Sequence, residues 1–186
     1  YYITFNVIGK PVKHKWILAW SRAFYEFPFN FLAKDVFRLR KLKRYEDVYI
    51  SNFVDKYDRV KKEQFTGVTF HLNENLLVIS YKGTDDTLIG WEENFNMIIS
   101  FPVAAQVSAK EYMDIIAETY PNARYYLTGH SKGGNLAIYA GFYVEPFVQN
   151  KIVRIYNFDG PGFEKDDIDQ EKYFRVKNKI KTVVPV

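Results

Sequence analysis

Residues 126–140 read YLTGHSKGGNLAIYA, and no other stretch constrains the fold as tightly. Tyr125 to Thr128 has the length and composition of a short buried strand, and Ser131 opens an apolar helix that runs to about Val144. Between the two, Gly129 and Gly133 flank Ser131, where side chains would collide as the backbone reverses. A strand that turns directly into a helix must lay that helix back on a sheet, so the local pattern calls for α/β layers.

The rest of the chain fits that expectation. FTGVTFHL and NLLVISYKG are β-rich runs separated by Asn73, Glu74 and Asn75, which predicts a hairpin. Val103 to Tyr120 carries apolar spacing at Val107, Tyr112, Ile115, Ile116 and Tyr120 and stops before Pro121, as a helix should. Ile152–Phe158 and Ile180–Val184 read as further strands, and Tyr45–Tyr57 reads as helical. Strand, helix, strand, loop-rich excursion, strand is the order of a sheet whose parallel strands are joined by crossover helices.

Charge divides the chain. Residues 1–60 hold 12 Lys and Arg against 6 Asp and Glu, whereas 61–186 hold 14 against 16. The organisation expected is a basic, aromatic-rich helical segment over 1–60 and an α/β core over 61–186. Within the first, KDVFRLRKLKR (Lys34 to Arg44) sets six basic residues around Val36, Phe37, Leu39 and Leu42, which suits a short amphipathic helix. The commoner reading is a solvated helix face. The sharper one is peripheral contact with an anionic membrane surface through residues 16–44, helped by Trp16, Trp20, Phe24, Phe27, Phe29 and Phe31. No binding motif accompanies the charge, so nucleic acid is not an expected partner. No run of about 18 uncharged apolar residues appears, so a membrane span is not expected. The chain has no cysteine, which excludes disulfides and thiolate metal ligands and suits a cytoplasmic protein.

The chemistry centres on Ser131. A serine hydroxyl is a poor nucleophile, so an esterase must expose it, give it a base and stabilise the oxyanion formed on attack. The strand-to-helix turn exposes it, and the helix N-terminus aims N–H groups where negative charge will develop. The Lys132 backbone N–H is then one oxyanion donor. A second should come from a loop after an earlier strand. YKGTDDTLIGW offers Thr84, whose N–H and hydroxyl could both point there, although Thr84 and Asp85 could equally cap the segment after them. Trp91, Glu92, Glu93 and Asn94 read as packing and surface residues. GHSKGGN is not a P-loop, because Lys132 precedes the glycine pair instead of coming after it.

Three blocks, ISYKGTDDTLIGWEENFNM, TGHSKGGNLAIYA and YNFDGPGF, resemble the signatures of the class 3 lipase-like α/β hydrolases, in particular a bacterial branch described as a domain of unknown function. The resemblance covers about Phe65 to Val186 and implies an α/β-hydrolase fold of lipase type with a mostly parallel sheet, truncated at the C-terminus. It puts Ser131 at the nucleophile, with Gly129, His130 and Gly133 forming the elbow, and Thr84 and Lys132 at the oxyanion positions. Tyr81, Lys82 and Gly83 stand where lipases carry Phe-Arg-Gly, and Lys132 replaces the usual Leu or Met, altering the pocket rim but not the backbone donor. The acid and base would lie past Val186, in the chain order Ser, Asp, His.

His14, His71 and His130 all precede or adjoin the serine and read as structural. Asp159 is the one acid that tempts as a triad member, but the resemblance puts it in a loop that shapes the pocket; Asp166, Asp167 and Asp169 could suggest a cation site but read rather as an acidic helix start. The expectation is a serine esterase acting on a small-molecule or lipid ester through an acyl-enzyme, with no metal or organic cofactor needed. The competing class is a non-catalytic module on the same fold that binds a membrane surface or protein partner.

Overall fold

The computed structural model describes residues 2–5, 42–45, 47–84 and 88–185. Its frame is a seven-stranded sheet in sequential order: β1 (Tyr2–Phe5), β2 (Tyr49–Asp58), β3 (Glu63–Asn73), β4 (Leu76–Tyr81), β5 (Arg124–His130), β6 (Ile152–Phe158) and β7 (Ile180–Val183). The pairings from β1 through β4 are antiparallel, and those from β4 through β7 are parallel. The hairpin, the β5 strand and the two strands after it stand where the sequence puts them.

Helices join the parallel strands. α1 (Leu88–Ile99) and α2 (Ala104–Thr119) connect β4 to β5, and α3 (Lys132–Tyr143) and α4 (Pro146–Lys151) connect β5 to β6. α5 (Gln170–Val176) leads into β7. The core lies between the sheet and α2 and α3, where Leu77, Ile79, Tyr125, Leu127 and Ile155 meet Ala109, Met113, Ile116, Leu136 and Ala140. α3 is buried from Lys132 through Phe142. Its apolar character on all sides reflects that central position.

Two local expectations are corrected. The pattern over Tyr45–Tyr57 suits a helix, but Tyr49–Asp58 forms β2, paired on both edges. Tyr49, Ile50, Phe53, Val54 and Tyr57 favour a pleated surface, and Asn52, at φ 51°, makes the irregularity between Ser51 and Val54. In α2, Val107 and Ile115 are exposed. The buried face instead runs through Ala105, Ser108, Ala109, Tyr112, Met113 and Ile116, where small side chains let the helix approach its neighbours. The amphipathic helix expected from Lys34 falls almost wholly outside the described residues, as do the upstream aromatics and His14. Among the described residues no helix is long and apolar enough to cross a membrane.

Candidate active site

The elbow is built at the C-terminal end of β5, where Gly129 is level with Tyr81 of β4 and His130 with Phe158 of β6. Ser131 takes φ 54° and ψ −129°, a conformation that costs an L-residue on the order of 1–3 kcal/mol and persists only where its surroundings impose it. They do so from both sides. The Ser131 N–H donates to the Phe158 carbonyl at 2.9 Å, and the Ser131 carbonyl accepts from Gly134 N–H at 2.9 Å in the first turn of α3. The two flanking glycines are required by space. A Cβ on Gly129 would lie 2.2 Å from the Gly133 carbonyl, and one on Gly133 would lie 2.2 Å from the Tyr81 carbonyl oxygen.

The Thr84 loop arrives beside this turn. Gly83 packs so closely that a Cβ there would sit 2.8 Å from the His130 carbonyl oxygen and 3.6 Å from Ser131 Cβ. Ser131, Lys132, Thr84 and the elbow glycines are therefore gathered at one end of the parallel strands, where open α/β sheets carry their sites. The Thr84 hydroxyl, expected to share in holding an oxyanion, instead donates to Asn94 Oδ1 at 2.8 Å. Its proton is committed to α1.

Lys132 departs furthest from expectation. Its side chain does not shape a pocket rim. It is 1% exposed, and its Nζ donates to the Gln64 carbonyl and Gln64 Oε1, both at 2.7 Å, and to Glu93 Oε2 at 2.8 Å. Glu93, also 1% exposed, accepts further hydrogen bonds from Gln64 N–H at 3.2 Å and, through Oε1, from Ala105 N–H at 2.9 Å in the first turn of α2. Position in the chain explains the miss: the residue after Ser131 lies at the helix start with its side chain directed into the molecule, and nothing in GWEENF tells buried Glu93 from its exposed neighbour Glu92.

A second buried polar set ties the neighbouring loops. Asn135 of α3 donates through Nδ2 to the carbonyls of Pro161 and Gly162 at 3.0 and 3.2 Å and accepts at Oδ1 from Gln106 Nε2 at 2.9 Å. Gln106 Oε1 in turn accepts the Val103 N–H at the start of α2. The GPG loop is thus anchored to α2 and α3 through one asparagine. Asp159 opens that loop at φ 54°, with its N–H donating to the Val183 carbonyl at 2.8 Å. Asp169 caps α5 by accepting from Glu171 N–H and Lys172 N–H, as an acidic helix start should.

Of the two described histidines, one adjoins the elbow serine and the other lies far from it. His130 is exposed at the end of β5. His71 belongs to the opposite end of the sheet, level with Leu77, where Nε2 lies 2.7 Å from Ser51 Oγ and the ring stacks on Tyr49 at 4.2 Å between centroids.

The family model described as Mbeg1-like matches residues 39–186 of the chain. Among solved structures, M37 lipase superimposes with a TM-score of 0.51 at 16% identity, covering 94% of this chain and 68% of that one. A fungal lipase–inhibitor complex, described as a model for interfacial activation in lipases, gives a TM-score of 0.49 at 13% identity, covering 75% and 58%. No curated protein matches the sequence. At such identities the likeness to M37 lipase is one of fold, and the fold is that of a lipase-type α/β hydrolase.

Proposed function

The chain belongs to the Mbeg1-like family, and we propose that it is a serine hydrolase that cleaves a carboxylic ester through an acyl-enzyme at Ser131. The observation that carries this reading is the Ser131 backbone at φ 54° and ψ −129°, strained at a strand-to-helix turn against the Thr84 loop. Ser131 Oγ attacks the ester carbonyl carbon and loses its proton to a base. The oxyanion is held by the backbone N–H groups of Lys132 and Thr84, and the alcohol leaves with the proton. Water then hydrolyses the acyl-enzyme by the reverse proton route. No described residue supplies the base, so the reading requires a histidine, and an acid to orient it, from outside the described residues.

An acyl lipid is the substrate class favoured by the surroundings of the site. α1, joined to Thr84 by Asn94, exposes Leu88, Trp91, Phe95, Ile98 and Ile99 to solvent. An apolar face of that kind next to a nucleophile suits an acyl chain or the surface that presents one.

The experiment is labelling of the full-length protein with a fluorophosphonate probe, wild type beside Ser131→Ala. Wild type should label and the variant should not. Failure of folded wild type to label would favour the second reading, a non-catalytic module on the same fold.

A further inference from the structure

Lys132 is placed by that reading at the oxyanion through its backbone, yet its side chain leads away from the site into the interior. All three ammonium protons have acceptors there: two on Gln64, at the start of β3, and one on Glu93 of α1. Glu93 is itself fixed by the N–H groups of Gln64 and Ala105. One buried pair therefore joins the elbow, α1, the start of β3 and the first turn of α2.

Stability does not account for such a pair. Two desolvated charges roughly break even against apolar side chains of the same volume. This cluster also leaves Gln64 Nε2 buried without a hydrogen-bond partner among the described residues, a further cost. What a long side chain pinned at its tip does supply is direction. Ser131 is held by its N–H bond to Phe158 and, through its carbonyl, by the Gly134 N–H in the first turn of α3. The pinned Lys132 side chain adds a third restraint, on the residue that follows, at a turn whose strain the surroundings must over-determine.

We propose that Lys132 and Glu93, with Gln64, are positioning residues: their buried ion pair fixes the Lys132 backbone so that its N–H is directed at the oxyanion formed at Ser131. The inference rests on the serine hydrolase reading. It adds that the side chain after the nucleophile acts through an internal anchor and not through the substrate, and that Glu93 of α1 belongs to the site without touching it.

The test compares full-length wild type with Lys132→Met/Glu93→Met, which removes both charges at nearly constant volume, and with Gln64→Met, which keeps the ion pair but loses one acceptor. Each is measured for cooperative unfolding, for fluorophosphonate labelling rate, and for kcat and KM on p-nitrophenyl butyrate. The double variant should fold and lose about 10- to 100-fold in kcat, the range below that for deleting an oxyanion donor outright, with KM within about threefold of wild type. Gln64→Met should fold and lose a few-fold in kcat in the same pattern. A folded double variant with kcat within twofold of wild type overturns the inference alone. Should the double variant not fold, Gln64→Met decides, and an unchanged kcat there overturns it. Absence of labelling in folded wild type overturns the hydrolase reading and this inference together, and is distinguished by the wild-type lane itself.

Discussion

The Lys132 ammonium and a Glu93 carboxylate oxygen lie 2.8 Å apart, with each side chain 1% exposed. Removing one partner strands the other. Glu93→Ala should therefore destabilise the protein by about 3–5 kcal/mol, whereas Lys132→Met/Glu93→Met should fall close to wild type or above it. Urea unfolding of the three proteins checks the ordering, and equal losses in the single and double variants would contradict it.

Gly133 faces the Tyr81 carbonyl so closely that a Cβ would lie 2.2 Å from its oxygen, a backbone atom held in the sheet. Gly133→Ala should cost on the order of 3 kcal/mol or more, or prevent folding. Thermal unfolding and soluble yield measure this, and a wild-type melting temperature would mean that the elbow can open without penalty.

Ser131 bears backbone strain that a glycine would not. Ser131→Gly should gain about 1 kcal/mol of stability while abolishing probe labelling, with Ser131→Ala showing the second effect without the first. Denaturant midpoints of the two variants decide the point.

Burial lowers the pKa of His71 below its usual value of 6.5. The groups against it are Ser51, Tyr49 and Tyr120, with no carboxylate among these contacts to favour the charged ring. Below pH 6.5 the unfolded chain then binds a proton that the folded chain resists. The contribution of His71 to stability is full above that pH and is lost as pH falls through the lowered folded value. The melting temperature should drop between pH 7.5 and pH 5, and drop less in His71→Phe.

Trp91 and Phe95 are exposed on α1. Trp91→Ser/Phe95→Ser should leave unfolding within about 0.5 kcal/mol of wild type. If the substrate is an acyl lipid, hydrolysis of an emulsified long-chain ester should fall several-fold while that of a soluble short-chain ester holds. Parallel loss on both substrates would argue against a lipid-facing role.

The elbow was legible because its requirements are local. A tight turn between strand and helix needs small residues at fixed offsets, and Gly129, Ser131 and Gly133 carry that need in five consecutive positions. The β3–β4 hairpin, α2 and the strands β5, β6 and β7 were legible for the same reason, since period and punctuation lie within each segment. Tyr49–Asp58 was not legible because its apolar residues suit either period, and the choice fell to the edges offered by β1 and β3.

What the sequence alone determined by short-range pattern is the α/β layering from β3 onward and the serine at its turn; the lipase type came from the resemblance of three blocks. Only the tertiary structure decided where Lys132 and Thr84 send their side chains. Lys132 finds Gln64, 68 residues earlier, and Glu93, 39 residues earlier, while Thr84 gives its hydroxyl proton to Asn94. A buried charge takes whichever partner the packing brings within about 3 Å, and that choice exists only once α1, β3 and the elbow have met.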